Sequence, residues 1–241
     1  KQKFRNKEYS TILIKKFKTA NPLINLNNAL STGGFFLEIS ENYNFKKPLI
    51  IYNYFSNNLK NKMVNNKNLI KLNNKSNLEI VEINADISKN NYMQNNYTRI
   101  EIGNNSTLKN YNIQSNTSNG FFYKYIKVKL CDKSNYEEYI FSSGLKFNRI
   151  EEEVDIDGEN AKCSIQSSLF LNLDSHQEIK TQINHLKPNS ISHQKIKKVL
   201  NKNCKGAYQG KIYVKNIAQK TDAYQLSKAL LLDNSSEFNA K

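Results

Sequence analysis

The sequence predicts an all-β protein built from short strands joined by polar turns. Apolar runs such as GFFLEI (34–39), KPLIIYNYF (47–55) and FFYKYIKVKL (121–130) are separated by clusters of Asn, Ser, Asp and Gly. The last run also alternates apolar with polar residues, most clearly at Ile126 and Val128, which is typical of a half-buried strand. No long helical pattern separates these runs, so the strands are expected to follow one another directly.

A unit consisting of a turn and a strand-opening residue recurs along the chain. The four occurrences are LNNKSNLEIVEI (72–83), IGNNSTLKNYNIQ (102–114), IDGENAKCSIQSSLFL (156–171) and LDNSSEFNA (232–240). Superposing the turns predicts that Leu78, Leu108, Ala161 and Phe238 are neighbouring inward positions. Such repetition favours a β-solenoid, in which each coil buries its inner face against the next coil. A sandwich or a meander gives a similar pattern and stays open at this point.

The N-terminal residues differ in pattern from the rest. Residues 1–20 mix Lys with apolar residues such as Ile12 and Phe17, which is compatible with a short amphipathic helix leading into the domain. We therefore divide the chain into an N-terminal lead segment, residues 1–30, and a β-rich core, residues 31–241. The opening KQKFRNKEYS lacks the apolar region of a signal peptide, and no apolar run reaches the ~18 residues of a membrane span. We expect a chain that is neither secreted nor membrane-bound.

Asparagine is expected to take the special backbone positions in the turns. The chain has only 8 Gly and 3 Pro, which are too few for the number of turns predicted. Asn is the best substitute for glycine because its short polar side chain bonds locally and tolerates positive φ.

The basic composition does not by itself indicate a polyanion partner. The formal net charge is +15, but it comes almost entirely from dispersed Lys, with Arg only at Arg5, Arg99 and Arg149. Base and phosphate recognition relies strongly on Arg, and no nucleic-acid motif is present. Lys, Asn and Ile share A/T-rich codons, so composition drift explains the excess. We expect no nucleic-acid partner.

Three cysteines are candidates for a metal site or a disulfide. Cys131, Cys163 and Cys204 are 32 and 41 residues apart and form no C-x-x-C pair. This spacing is typical neither of a zinc site nor of a disulfide framework. We expect buried or idle thiols, and neither a metal site nor a cofactor site in this core.

An acidic run is the most obvious candidate for carboxylate chemistry. Glu151–Glu153, with Asp155 and Asp157, could supply paired carboxylates for glycoside chemistry or a Ca²⁺ loop. Apolar residues are interleaved through the run, however, and charge runs usually face water. We interpret it as a strand with a solvated acidic face.

The stretch AQKTDAYQLSKALLL, residues 218–232, fits two secondary structures. Ala223, Leu226 and Leu230 have helical spacing, whereas Tyr224, Leu226 and Leu230 also share one face of a strand. Periodicity alone does not decide between them.

The second half of the chain carries an ordered series of segments that resembles a known family. DIDGENAKCSIQSSLFL is followed by HQEIKTQINHLKP (176–188), GAYQGKIYV (206–214) and AQKTDAYQLSKALLLDNSSEFNAK (218–241). This series resembles the SufB/SufD family, the scaffold proteins of SUF iron–sulfur cluster assembly. The resemblance implies a right-handed parallel β-helix, and therefore strand and turn at residues 223–232.

Residues 219–231 are more similar to SufD than to its sibling. SufB-like chains carry a cysteine, thought to take part in building the cluster, where this chain has Ser227. A serine hydroxyl is a poor iron ligand compared with a thiolate. The resemblance therefore implies a SufD-like, non-catalytic scaffold subunit in which Ser227 is not a cluster ligand.

The resemblance also implies partners and cargo. The carboxyl end of the β-helix is expected to pair edge to edge with a SufB-like sibling, or with a second copy in isolation. A family segment expected beyond Lys241, carrying Cys and His, and a helical tail that docks the ATPase SufC are not in this sequence. A transient iron–sulfur cluster and reduced flavin are expected only at the level of the complex.

Five residues besides Ser227 are candidates for that heterodimer edge or for a structural role. Gln219, Lys220, Thr221 and Asp222 form the Q-K-T-D pattern of SufD, and Thr221 and Asp222 are also suited to bond their own backbone at a corner. His185 matches a histidine common to both siblings. We expect it to satisfy groups within the strand stack rather than to bind metal with His176 or His193.

Two other functions are compatible with the fold or the charge. A secreted β-helix enzyme or binder acting on acidic polysaccharide agrees with the fold and the charge, because a fold does not determine function. A basic nucleic-acid-binding protein is the other. The scaffold interpretation places the protein in the cytoplasm, or in the plastid stroma of a plastid-bearing organism.

Overall fold

The computed structural model describes residues 20–31, 33–55, 59–86, 91–115 and 120–241. Within them lie one helix, α1 (Pro22–Leu30), and fifteen strands. The strands are β1 (Phe36–Ile39), β2 (Leu49–Phe55), β3 (Met63–Leu72), β4 (Asn77–Asp86), β5 (Met93–Ile102), β6 (Thr107–Ser115), β7 (Phe121–Leu130), β8 (Asn135–Ser143), β9 (Phe147–Ile156), β10 (Lys162–Leu171), β11 (His176–His185), β12 (Ile191–Leu200), β13 (Lys205–Val214), β14 (Asp222–Leu231) and β15 (Glu237–Ala240).

Alternate strands belong to two different sheets, so one odd and one even strand together form one coil. The odd strands make an eight-stranded sheet and the even strands a seven-stranded sheet, each in sequence order. Every pairing is parallel; Leu72 pairs with Ile102, for example, and Ile102 with Leu130. The fold is a parallel β-solenoid and fits the expected right-handed β-helix. The sandwich and meander alternatives are wrong.

Inward side chains from the two sheets fill the space between them. Along β11, buried and half-buried residues alternate without a break, with Ile179 and Ile183 on the inner face. Because registers are maintained, like residues stack from coil to coil: Ile102, Leu130 and Ile156 are each at most 1% exposed. A coil therefore buries its apolar residues only by stacking on its neighbours.

The corners after the odd strands use left-handed backbone positions repeatedly. Lys75, Asn105, Lys133, Asn160, Asn189 and Lys220 have φ between 53° and 58°. Each corner bonds to the next, as when the amide of Asn105 donates to the carbonyl of Asp132 at 2.9 Å. This ladder offsets the cost of positive φ, of order 1–2 kcal/mol per residue.

The prediction that Asn takes these positions is confirmed for half of them. Six of the twelve non-glycine residues with positive φ in the described chain are Asn, and four are Lys. The four lysines are all exposed, so their side chains extend into water while the backbone ladder holds the corner.

A row of small buried residues follows the corners and corrects the predicted alignment. Ser76, Ser106, Ser134 and Ser190 are at most 1% exposed, and the Ser134 hydroxyl donates to the carbonyl of Cys131 at 2.7 Å. Ala161 belongs to this row and not beside Leu108, because the corner at 157–161 is one residue longer than those before it.

The other members of that predicted alignment are split. Leu78 and Leu108 do pair directly. Phe238 lies in the opposite sheet, where it pairs with Gly206. Superposing turns did not distinguish the two kinds of corner, which lead into different sheets.

Helix α1 packs on the outer face of the odd-strand sheet. Asn21 caps it by accepting from the amide of Leu23 at 3.0 Å, and Pro22 stands at its first turn. Asn27 ties the helix to β3 and β5 by donating to the carbonyls of Asn66 and Asn95. The amphipathic helix predicted within residues 1–20 falls almost entirely outside the described residues. None of the described helical residues forms a segment long and apolar enough to cross a membrane.

Candidate partner-binding end of the solenoid

The carboxyl-terminal coil leaves strand edges open. β14 is the last strand of its sheet and pairs only with β12. In the other sheet the four residues of β15 pair only with Lys205–Tyr208 of β13. Residues 222–231 form a strand, which resolves the ambiguity of that stretch. Edges of this kind present unpaired N–H and C=O groups to another strand.

The apolar core is uncovered at this same end. Ile156, His185 and Val214 are stacked in one inward row, yet the first two are fully buried and Val214 is 45% exposed. Leu200 and Leu231 behave alike in the facing sheet, with 0% and 47% exposed. The last coil therefore presents residues that belong, by their position, to a core.

Exposed apolar residues surround this open core. They are Tyr213, Ile217, Tyr224, Leu230 and Leu232, each 46–58% exposed. Exposed apolar residues at an open strand edge are typical of an interface.

The Q-K-T-D residues form the corner between β13 and β14. Thr221 donates to the carbonyl of Ala218 at 2.9 Å, and the Gln219 carbonyl accepts from the amide of Asn189 at 2.9 Å. Lys220 has φ of 58°, and its side chain, like that of Asp222, is exposed. Gln219 and Thr221 thus shape the corner, whereas Lys220 and Asp222 present their charges next to the open edge.

Ser227 lies near the middle of β14. It pairs with Ile196 and is half-buried, and its Oγ has no hydrogen-bond partner. An incoming strand or a water molecule could satisfy this hydroxyl.

His185 lies one coil inside the open end. Its Nδ1 is 2.6 Å from the hydroxyl of Ser190 and its Nε2 is 2.9 Å from that of Ser192. The ring is fully buried, and burial lowers its pKa below the usual range. A neutral imidazole held by two hydroxyls suits a structural position. His176 is at the opposite end of the same strand, on the outer face, and contacts Glu178.

A lysine near the open end is buried, which its charged sequence neighbourhood did not predict. Lys198 is 2% exposed, donates to the carbonyls of Gln177 and Ala207, and lies 5.4 Å from the centre of the Phe238 ring. Burial lowers its pKa to about 7. Lys198 has the same strand parity as the inward Ile196, and this parity could have predicted its burial. Its basic neighbours in the sequence obscured that signal.

The acidic run is a strand, as predicted, but the expected solvated face is wrong for Glu152, which points inward, and for Glu151, which points outward yet is only 6% exposed. Glu151, Glu153 and Asp155 point outward and pair with basic residues such as Lys127. Glu152 points into the solenoid and is 2% exposed. It has the same strand parity as the inward Ile150 and Val154, so parity places it inside.

The three cysteines are separated from one another in the fold. Cys163 lies in the inward row of β10, Cys204 in a buried corner beside Ser175, and Cys131 in a half-buried corner. Burial raises the pKa of the Cys131 and Cys163 thiols. Among the described residues, no three His, Cys, Asp or Glu side chains come together in a way that could hold a metal ion.

Comparison with known proteins places this coiled core in a family. Residues 54–241 match the family model described as SUF system FeS cluster assembly, SufBD core domain. The match covers well over half of the chain and nearly all of the solenoid. No curated protein matches the chain. The protein belongs to the SufBD core-domain family and therefore takes part in SUF iron–sulfur cluster assembly.

Proposed function

We propose that this protein is a SufD-like scaffold subunit that pairs with a SufB-like sibling through its carboxyl-terminal coil. The observation that carries the proposal is the edge strand β14, where Leu231 is nearly half exposed although Leu200, its neighbour one coil earlier, is fully buried. Adding the partner's strands there would cover this apolar surface and pair the free backbone groups.

The residues at this coil support a scaffold role rather than a catalytic one. Ser227 stands where a SufB-like chain has cysteine, and a serine hydroxyl is a poor ligand for iron. The cysteines that the chain does have lie in separate parts of the fold. The iron–sulfur cluster, and reduced flavin if it takes part, are accordingly proposed to belong to the complex as a whole.

The second proposed partner is a SufC-like ATPase. The resemblance assigns its docking to a tail beyond residue 241, so the present residues supply the scaffold and the sibling-binding edge. ATP-driven movement of such a complex would expose the site where sulfur and iron are assembled.

Co-expression with SufB-like and SufC-like proteins tests the assignment, using a chain that includes the residues beyond 241. The tagged protein is expected to retain both partners. Leu231→Lys, at the open end, should reduce recovery of the SufB-like protein at least tenfold, because a charge would be buried in the interface. Ile50→Lys is the matched control, since Ile50 is 50% exposed at the opposite end of the same sheet.

Two outcomes would count against the proposal. Recovery of neither partner with the unmodified chain argues against a scaffold role in this complex. Equal loss of the sibling with Leu231→Lys and Ile50→Lys argues against the carboxyl-terminal edge as the binding surface.

A further inference from the structure

The middle coils enclose a group of ionisable side chains that the scaffold role does not require. Glu138, on β8, is fully buried, and one of its oxygens accepts from the Asn110 amide at 2.7 Å and from the Tyr136 hydroxyl at 3.0 Å. Its other oxygen has no hydrogen-bond partner. A buried ionised carboxyl with an unpartnered oxygen is costly.

A second carboxyl faces the same interior. Glu152, on β9 in the opposite sheet, is 2% exposed, and neither of its oxygens has a partner with hydrogen-bond geometry. The Tyr136 hydroxyl is near enough to both carboxyls to influence their ionisation. The two acids therefore share one tyrosine in the buried interior.

The interior lysine Lys124 cannot neutralise all three of the acids near it if all of them are ionised. Lys124, on β7, is 1% exposed, and its ammonium group is 2.5 Å from Glu82 on β4. The other oxygen of Glu82 already accepts from Asn53 on β2. The Lys124 ammonium thus lies among three carboxyls. Its close contact is with Glu82, which is not one of the two facing acids, Glu138 and Glu152.

The raised pKa values of Glu138 and Glu152 agree with this shortage of positive charge. Burial raises the pKa of Glu138, whereas the charge of Lys124 and two hydrogen bonds lower it. The net result is a pKa raised to about 7. Burial and then the charge of Glu138 raise the pKa of Glu152 well above its usual value. The remaining titratable neighbour, the Cys163 thiol on β10, has its own pKa raised by burial and by the same two carboxyls.

We propose that Glu138 and Glu152 form a proton-holding pair inside the solenoid, which retains a proton in the folded protein and makes the middle coils less stable as the pH rises from mildly acidic to neutral. The pair lies between β8 and β9, with Lys124, Glu82, Tyr136 and Cys163 as the ionisable groups that face it. Glu82, whose side chain is 14% exposed, is the member of the group that reaches solvent.

The direction of the pH effect follows from proton linkage. Above about pH 4.5 the carboxyls of the unfolded chain lose their protons, whereas the folded pair keeps one. Stability from this source is therefore fully present below pH 4.5 and is lost as pH rises through about 7. For one retained proton, the unfolding equilibrium constant rises about tenfold per pH unit in this window.

Infrared spectroscopy and denaturant unfolding of the whole chain test the proposal. The unmodified protein should show the carbonyl band of a buried protonated carboxyl at pH 6, and this band should weaken on titration to pH 9. The double substitution Glu138→Gln with Glu152→Gln should remove the band and the additional tenfold per pH unit. The matched control is Glu137→Gln, because Glu137 lies on the outer face beside Glu138 and should change neither readout.

The infrared titration needs no variant, so the test holds even if the double variant fails to fold. Absence of a protonated carboxyl band from the unmodified protein at pH 6 would overturn the proposal. An unfolding pH dependence that is the same in the double variant and in the Glu137→Gln control would overturn it as well.

Discussion

Inward valines in different coils are covered to different extents, so the substitution of Val by Ala should destabilise the protein more at Val154 than at Val214. Val154→Ala removes two methyl groups from a side chain that is fully buried and stacked between Val128 and Ile183. The transfer cost is about 1.6 kcal/mol at ~0.8 kcal/mol per carbon. A cavity term raises the expected loss to about 2–3 kcal/mol.

Val214→Ala makes the same chemical change where no coil covers the side chain. Val214 is 45% exposed, so about half of the transfer cost applies and no closed cavity forms. The expected loss is below ~1 kcal/mol. Urea unfolding followed by circular dichroism, compared at equal m values, measures both changes.

Equal losses at the two positions would refute this account of the open end. A further consequence depends on what covers this end, because any strand added over Val214, from a longer chain or from the proposed sibling, would turn it into a buried position. Repeating the measurement on the complex should then move the effect of Val214→Ala toward that of Val154→Ala.

Three more predictions concern single positions. Asn105→Val should cost about 1–2 kcal/mol in urea unfolding, because a β-branched residue is strained at φ of 55°, whereas Asn105→Gly should cost less than half of that. His185, whose pKa is lowered by burial, should make the protein lose stability as pH falls below 6.5, and His185→Gln should remove that acid-side loss in unfolding measured between pH 7 and pH 5. Lys198→Met should stabilise the protein more at pH 6 than at pH 9. Burial lowers the pKa of Lys198 to about 7 in the folded protein, so this lysine increasingly destabilises the fold as pH falls from 10.5 through 7. An equal effect of the substitution at both pH values would contradict this.

Much of the architecture follows from local patterns. The alternation within 121–130 predicts β7, and the shortage of Gly together with the abundance of Asn predicts Asn at positive φ, as at Asn105 and Asn160. Strand parity also held the information that Glu152 and Lys198 are inside. That signal was outweighed by the rule that charge runs face water, which fails where a solenoid interior is itself polar.

Local patterns are enough to predict the all-β class, the turn chemistry and the family resemblance, because each depends on residues close together along the chain. Stacking of the coils decided whether residues 222–231 are strand or helix, since β12, the strand that pairs with them, lies about thirty residues earlier. It also decided the place of Ala161 and the meeting of Glu138 with Glu152. Register and corner length bring those residues together, and both are properties of stacked coils rather than of any single segment.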